Sequence, residues 1–357
     1  MFYGYTMLII KESKAMSITG KELAKILNIS EAAISMALNN KPGVSTKTRK
    51  KILAVAKEHN YDFSNKTSFV DAKKAKGTVH FVIFKKNGAI ITDNSFFSLI
   101  TEGINYGCEK FNYYLNVTYF YSSQDIEQQL ETLVRQGCKG IILLGTEIKK
   151  EDYIPFSKLS IPIVLVDSYF TDIIVDSISI NNTRGAYLAT NHLIQSNGLH
   201  PGYLRSLYST QNFYERKLGF YKALNASGFS TSNTITHKLT PSFEGAYADM
   251  LRLIRKGEPV AHSYFADNDL IAAGALKAFK ESNYRIPEDI SIIGFDDIPL
   301  CSYIEPNLSS VNVPKKYIGI TAMKRLVDLM SSEYNLPLRI EVETEIITRD
   351  SVLYRSY

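Results

Sequence analysis

The sequence predicts a small all-α headpiece followed by two tandem α/β units whose doubly wound sheets are parallel. Before Gly77, short amphipathic segments with helix-capping signals follow one another; after it, apolar runs such as "TVHFVIF", "GIILLG" and "IPIVLVD" alternate with amphipathic stretches. The second pattern is typical of parallel strands covered on both faces. With 357 residues, 45% apolar and 22% charged, the chain can form two or three globular domains, which excludes a fibre or an extended disordered chain.

Cysteine usage and the N-terminus indicate a reducing compartment. The three cysteines are far apart and odd in number, so neither a disulfide framework nor a zinc site is expected. The opening "MFYGYTMLII" has no basic n-region, is too short to span a bilayer and lacks a small-residue cleavage site. We therefore expect a cytoplasmic protein with no membrane partner, in which residues 1–15 are an N-terminal extension and Met16 is the natural start.

Three short helices are predicted in the headpiece from their capping residues. Thr19 has the position of an N-cap, and Glu22 stands three residues later, as in a capping box. Ser30 can cap a second helix and Ser45 a third. The inward residues are predicted to be Leu23, Ile26 and Leu27 in the first helix, Ala33, Ile34, Ala37 and Leu38 in the second, and Ile52, Leu53 and Ala56 in the third.

The first two helices match a helix-turn-helix, which places one helix in the major groove of DNA. Residues 16–76 contain 12 Lys and Arg against 5 Asp and Glu, a formal charge of +7, whereas the whole chain carries +5. A basic headpiece favours a polyanionic partner, and a generic solvated three-helix bundle is the alternative. If DNA is bound, the predicted phosphate contacts are Thr19, Ser30, Ser35, Asn39, Ser45, Lys47 and Lys50.

The remaining chain divides into a linker and the α/β units. The stretch "FSNKTSFVDAKKAKG" is polar and lysine-rich, so it reads as a linker. The predicted segments are a helix-turn-helix domain at 16–62, a hinge at 63–77 and the α/β region at 78–357. Open α/β units bind ligands at the carboxyl ends of their strands, and two units in tandem predict a ligand cleft between them.

Motifs along most of the chain resemble those of one known protein family. The run "ITGKELAKILNISEAAISMALNNKPGVSTKTRKKILAVAKEHNY" resembles the DNA-binding headpiece of the lactose-repressor (LacI/GalR) family of bacterial transcription regulators. The segments "GLHPGYL", "ERKLGFYKAL", "FADNDLIAAGALKAFKESNYRIPEDISIIGFDDIPL" and "PNLSSVNVPKKYIGITAMKRLVDLM" are similar to that family's motifs in order and spacing. The resemblance implies a periplasmic-binding-protein-like α/β domain for effector binding and dimerisation, with an N-lobe at about 78–180 and 309–339 and a C-lobe at about 181–308 and 340–357.

The resemblance also implies which headpiece residues meet DNA. Glu31, Ala32 and Met36 would face base edges, where Glu31 can accept from cytosine N4 and the other two offer apolar contact. The family commonly has arginine at the position of Met36, so a different operator is expected; a half-buried packing role is the alternative for Met36. Val70 takes the place of the leucine that wedges into the minor groove, and Phe63, Ser64 and Thr67 also depart from the family's hinge pattern.

For the cleft, the resemblance implies a set of effector-binding residues: Phe96, Phe97, Asp167, Asn181, Arg216, Phe243, Asn268 and Asp296. An arginine fork with carboxylates can hold hydroxyl groups or ring nitrogens, and phenylalanine rings offer stacking area. A sugar or sugar derivative is the first expectation and a nucleobase or nucleoside the second. Asn181 stands where the family usually has aspartate, which reduces the negative charge near the crossover.

Three classes of function compete on these grounds. The leading one is a transcription regulator, most simply a repressor, that binds a palindromic operator as a homodimer under control of an effector. The second is a solute-binding protein of the periplasmic type, against which the basic headpiece and the opening sequence argue. An enzyme using Asp296 and Asp297 is third, since no Gly-rich phosphate loop, GxSxG or HExxH is present. We therefore expect no catalytic residues, no metal and no cofactor.

Overall fold

A computed structural model describes residues 18–38, 43–58, 75–86, 88, 90–91, 95–333 and 336–353. The chain divides into two compact units at residues 69 and 70, and each is described by itself. Asn39, Val70, Phe63, Ser64, Thr67 and the extension before residue 16 lie outside the described residues, so their predicted roles stay predictions.

The first unit contains the three predicted helices: α1 (Gly20–Leu27), α2 (Glu31–Leu38) and α3 (Thr46–Glu58). The capping box of α1 is confirmed, because Thr19 Oγ1 accepts from Glu22 N at 3.3 Å and Glu22 Oε2 accepts from Thr19 N at 2.7 Å. Ser30 Oγ accepts from the backbone of Ala33 and begins α2. In the same way, Ser45 Oγ accepts from the backbone of Thr48, which begins α3.

A small apolar core joins these helices. Its buried members are Leu23, Ala24, Ile34, Ala37, Leu38, Ile52 and Ala56. Ile26, which was predicted to be inward, is half exposed at 50%. The core face of α1 is formed by Leu23, Leu27 and Ala24, which follow one another around the helix. Ile26 lies on the other side of Leu23 and is therefore outside this face. Apart from this residue, the inward face of α1 was predicted correctly at Leu23 and, partly buried, at Leu27.

The second unit is built from alternating strands and helices. Its strands are β1 (Thr78–Lys85), β2 (Tyr114–Tyr121), β3 (Cys138–Leu144), β4 (Ile163–Val166), β5 (Asp176–Ile180), β6 (Gly202–Ser206), β7 (Thr236–Leu239), β8 (Ser263–Ala266), β9 (Ser291–Asp296), β10 (Ser309–Asn312), β11 (Arg339–Val342) and β12 (Glu345–Ile347). Its helices are α4 (Ser95–Phe111), α5 (Ile126–Arg135), α6 (Lys150–Ser157), α7 (Asn182–Asn197), α8 (Gln211–Ala226), α9 (Phe243–Arg255), α10 (Asp269–Glu281) and α11 (Lys315–Ser331).

The strands form two sheets, one in each lobe. The first has the order β11-β5-β4-β3-β1-β2 and is parallel throughout. The second has the order β12-β10-β9-β8-β6-β7, in which β12 pairs antiparallel with β10. Alternate side chains of β1 enter two separate cores, Phe81 on one face and Val82 on the other. This burial on both faces explains the continuous apolar runs from which parallel strands were predicted.

Two lobe boundaries lie a few residues beyond their predicted positions. β10, predicted to start the return into the N-lobe, pairs with β9 in the second sheet. β11, of which all but the first residue was predicted to belong to the C-lobe, pairs with β5 in the first sheet. Strands of four residues beside a crossover carry too short a pattern to reveal which sheet they join.

Among the described residues, no helix combines the length and the apolarity needed to cross a bilayer.

Glycines allow α4 and α11 to cross at close range in the first lobe. A Cβ built at Gly103 would overlap the carbonyl oxygen of Lys316, and one built at Gly319 would overlap that of Ile100. Both obstacles are backbone atoms, which cannot rotate away as a side-chain end can. Close backbone approach is thus what these two positions require, and only glycine provides it.

Replacing Gly103 with Ala should lower the free energy of unfolding of the second unit by about 1–3 kcal/mol, the usual cost of overpacking. The measurement is urea unfolding followed by circular dichroism. The control is Ser98→Ala, because Ser98 is exposed on the same helix and its substitution adds no atoms to the crossing. Equal unfolding midpoints for the two variants would contradict the close-packed crossing.

Candidate functional site

The exposed start of α2 contains two of the three predicted base readers. Glu31 and Ala32 are exposed in its first turn, where side chains at a helix N-terminus are free to approach a groove. Met36 is half-buried, and its sulfur packs beside Gly43: a Cβ built there would lie 2.8 Å from Met36 Sδ. Gly43 has a φ of +113°, a backbone conformation that favours glycine. Part of the Met36 side chain therefore packs within the headpiece and is not available to DNA.

The predicted phosphate contacts fall into two groups. Lys47, Lys50 and Ser35 are exposed on their helices. The hydroxyls of Ser30 and Ser45 accept capping bonds, but a hydroxyl that accepts can still donate its own hydrogen. The hydroxyl of Thr19 also donates to Glu22 Oε2 at 2.8 Å.

A polar cavity lies where the two lobes meet. It is lined by Ile90, Phe96, Phe97, Thr146, Asp167, Thr210, Asn212, Phe213, Arg216, Asn268 and Asp296. Its volume is about 20 Å³, which is room for a single water molecule. Asp167 follows β4 in the first lobe, Asn268 follows β8 in the second, and Asp296 ends β9. The strand ends therefore converge here as the parallel-sheet rule predicts.

Arg216 is the central cation of this cavity, and its side chain is only 4% exposed. Its Nη2 lies 3.0 Å from Asp296 Oδ1, and its Nε donates to Asn182 Oδ1 at 2.9 Å. Its Nη1 donates to the backbone carbonyl of Asp267 at 2.5 Å. The guanidinium carbon lies 3.7 Å from the ring centroid of Phe295, a cation-π distance. Every nitrogen of this buried charge thus has a protein partner.

Two carboxyl groups in the cavity have perturbed acidity. Burial raises the pKa of Asp167 to about 7, although hydrogen bonds from Thr146 at 2.5 Å and Asn212 at 2.9 Å favour its ionised form. Burial also raises the pKa of Asp296, against which the charges of Arg216 and Lys315 act. Low dielectric disfavours the charged form in both cases, so desolvation is the larger cause.

Hydrogen bonds across the cleft connect the lobes. Asn212 on α8 donates to both the carbonyl and the carboxylate of Asp167, at 3.2 and 2.9 Å. Tyr169, in the loop after β4, donates to Glu215 Oε1 on α8 at 2.5 Å. The ring of Tyr169 is covered by Arg339, whose guanidinium carbon lies 3.2 Å from the ring centroid. The first turns of α8 therefore contact the other lobe through side chains with specific partners.

Six of the eight predicted cleft residues line the cavity: Phe96, Phe97, Asp167, Arg216, Asn268 and Asp296. The other two lie elsewhere. Asn181 caps α7 by accepting from Arg184 N at 3.1 Å, and its amide donates to Glu343 at 3.2 Å. Phe243 is the first residue of α9, where its ring lies 5.9 Å from the ammonium of Lys277.

Several lining residues were missed from sequence: Ile90, Thr146, Thr210, Asn212 and Phe213. A signal existed for two of them. Thr146 follows the apolar run of β3, just as Asp167 follows β4. Asn212 precedes Arg216 by four residues on α8, so the two share a helix face. The remaining three come from loops or from a helix start, where no periodic pattern indicates direction.

Two family models match the chain. Residues 19–63 match the model of bacterial regulatory proteins of the lacI family, and residues 190–352 match a periplasmic binding protein-like domain. Among curated proteins, the chain is 29% identical over 337 residues to the "Probable HTH-type transcriptional repressor ExuR" of Bacillus subtilis, covering 94% of this chain and 98% of the relative. It is 27% identical over 336 residues to the ribose operon repressor of Haemophilus influenzae, with the same coverage.

A solved structure extends the similarity to three dimensions. The LacI family transcriptional regulator from Enterococcus faecium with bound ribose shares 25% identity and a TM-score of 0.67, covering 78% of this chain and all of that one. The similarity to the two curated relatives thus extends over 94% of this chain and 98% of each relative. The chain belongs to the lacI family of bacterial regulatory proteins, which are DNA-binding transcription regulators and not enzymes.

Proposed function

We propose that this regulator is a repressor that binds a palindromic operator as a homodimer and responds to a small polar effector in the cleft between its lobes. The observation that carries the effector half is the buried cavity around Arg216, where a guanidinium, two carboxylates and two amides converge among phenylalanine rings. Convergent polar groups within an apolar lining are typical of a small-molecule site.

The DNA half rests on the headpiece. Its helix-turn-helix has an exposed α2 start, and Lys47 and Lys50 are exposed on α3. A headpiece with so small a core makes few contacts with DNA by itself, so two copies on a two-fold symmetric site are the natural solution. Glu31 and Ala32, and the exposed part of Met36, are the proposed base readers. Since its target is DNA, we place the protein in the cytoplasm.

The proposal that the effector is a sugar is supported by related proteins as well as by the cavity. One relative is named a ribose operon repressor, and one related structure contains ribose. A sugar is therefore the first candidate and a nucleobase the second. Because the cavity volume is about 20 Å³, the lobes must move apart for such a ligand to enter. We propose that this motion is the link to DNA affinity, with a coupling free energy of about 1–3 kcal/mol.

The solute-binding alternative lacks support from this chain. Residues 19–63, which match the lacI-family model, serve no purpose in solute capture. A headpiece that binds only nonspecifically would revive that alternative.

Selection from a random duplex pool tests the proposal as a whole. We expect the purified full-length protein to enrich one palindromic sequence at moderate salt, because two identical headpieces read identical half-sites. The measurement is sequencing of the bound fraction, repeated with sugars added. Enrichment of no sequence under either condition would contradict a sequence-specific regulator.

Replacing Lys50 with Gln should weaken binding to all sequences about equally and reduce the slope of log affinity against log salt by about 1, if Lys50 contacts phosphate. Fluorescence anisotropy at several salt concentrations measures both. The control is Lys324→Gln, which removes an equal charge from the exposed face of α11 and should leave the slope unchanged. A slope that falls equally in both variants would indicate a general charge effect.

Replacing Asp296 with Asn should abolish the effect of sugar on operator binding while the affinity for operator without sugar stays within about twofold. The substitution keeps the shape of the side chain but removes the carboxylate that holds Arg216. The measurement is operator affinity with and without a panel of sugars that begins with D-ribose. Glu343→Gln, on the exposed crossover, is the control and should respond as the unsubstituted protein does. Loss of operator binding in Asp296→Asn would remove the cleft assignment.

A further inference from the structure

Three lysines surround the point where the chain enters the second unit. Lys76 and Gly77 precede β1, and Lys76 N donates to the carbonyl of Asn112 at 2.8 Å, close to Lys110 in the last turn of α4. The side chain of Lys139, near the start of β3, lies against Gly77, because a Cβ built there would lie 2.6 Å from Lys139 Cγ. All three lysines are exposed. We call Lys76, Lys110 and Lys139 the entry patch.

Contacts with the protein hold two of these side chains at the entry. Gly77 has a φ of +133°, a conformation that favours glycine, and its lack of a side chain leaves the space that the stem of Lys139 occupies. A lysine that packs its aliphatic stem on the protein still keeps its ammonium in solvent. On the opposite side of β1, Lys76 Nζ lies 5.9 Å from the ring centroid of Tyr113. The ammonium groups of Lys76 and Lys139 are therefore positioned by their neighbours.

Neighbouring carboxylates do not compensate the charge of the entry patch. In the part of the chain that the structure describes, none of its three lysines forms an ion pair, whereas Lys86, Lys150, Lys158 and Lys316 each pair with a carboxylate. The patch also contrasts with the net charge around it, because residues 77–357 contain 27 Lys and Arg against 30 Asp and Glu. A cationic patch on an otherwise acidic unit favours a polyanionic partner.

The covalent chain keeps the entry patch within reach of the DNA that the headpiece binds. Residues 59–74 connect Glu58, at the end of α3, with Ala75. Even fully extended, a linker of this length spans at most about 60 Å. A tethered surface meets its partner at an effective concentration of about a millimolar. Lysine–phosphate contacts that are too weak to form between separate molecules are therefore populated once the headpiece is bound.

We propose that the entry patch binds the phosphate backbone of the duplex held by the headpiece and gives the second unit its own, sequence-independent contact with DNA. An ammonium group attracts phosphate as a point charge and does not distinguish bases. The proposal goes beyond the proposed function, which assigns the DNA contacts to the headpiece alone. Each lysine that neutralises a phosphate releases a counterion, so the contact adds to the salt dependence of binding.

The first experiment measures the salt dependence of DNA binding by the full-length protein. The probe is the enriched palindrome at the centre of a duplex of about 40 base pairs, which extends beyond the reach of the linker on both sides. We expect the triple variant Lys76→Gln, Lys110→Gln and Lys139→Gln to bind at least ~10-fold more weakly at about 0.1 M salt and to lose about 2–3 from the slope of log affinity against log salt. Its base preference should stay unchanged, because phosphate contacts do not read sequence.

A matched variant removes the same charge from another surface. Lys222, Lys238 and Lys256 are exposed lysines of the second lobe, and their combined replacement with Gln should leave the slope unchanged. Thermal unfolding verifies that both triple variants keep the fold. An equal fall of the slope in the two variants would contradict the proposal, because net charge alone would then explain it.

Photocross-linking detects the contact without removing three charges. Cys108, Cys138 and Cys301 are buried, so the new cysteine of a Lys139→Cys variant can be labelled selectively with azidophenacyl bromide. We expect irradiation to link this variant to the duplex, while an equally labelled Lys256→Cys variant stays unlinked. Linkage of neither variant, or equal linkage of both, would overturn the proposal.

These outcomes are distinct from those that test the proposed function. A protein that selects its palindrome but shows neither the change in slope nor the cross-link lacks the second contact and remains a sequence-specific regulator. Selection of no sequence would contradict the proposed function instead. In that case, cross-linking to an unrelated duplex of the same length decides whether the entry patch contacts DNA.

Discussion

The burial of one guanidinium is the constraint on which the cleft depends. Arg216 carries a permanent charge at 4% side-chain exposure, and such a charge is tolerated only when its donors are satisfied. Asn182 at the start of α7, the carbonyl after β8 and the carboxylate at the end of β9 all converge on it. Asn182 in turn donates to Glu215 at 3.1 Å, and Glu215 accepts from Tyr169 of the other lobe. A requirement for charge compensation therefore organises one lobe and extends into the next.

The headpiece is stabilised differently from the cleft, by a small apolar core and by helix caps. Its core contains mainly leucine, isoleucine and alanine from three short helices, so each helix end must be stabilised locally. The capping bonds of Thr19, Ser30 and Ser45 supply this, each worth about 1 kcal/mol. Small residues such as Ala32 at the exposed start of α2 add little to the core, but they allow close approach of the helix backbone to another surface.

Much of this architecture could be predicted from local patterns. The spacing of Thr19 and Glu22 predicts a capping box, and continuous apolar runs predict buried parallel strands. Six of the residues that line the cavity were named from the family resemblance. The places where the structure departs from expectation share a physical cause. Asn181 and Phe243 also stand at strand ends or helix starts, but a side chain at such a position can cap its own helix or turn away from the cleft, and only the three-dimensional path decides. Ile26 and the short strands β10 and β11 failed because one turn or four residues contain too little pattern.

The small volume of the cavity affects the rates of ligand association and dissociation rather than the affinity. A cavity of about 20 Å³ lined by side chains from both lobes would admit the proposed effector only when the lobes open, so its association would be set by the frequency of that motion and would fall below the diffusion limit. The same motion would delay its departure. A regulator controlled in this way would average over brief fluctuations in effector concentration and change state only when a concentration change outlasts the interval between openings.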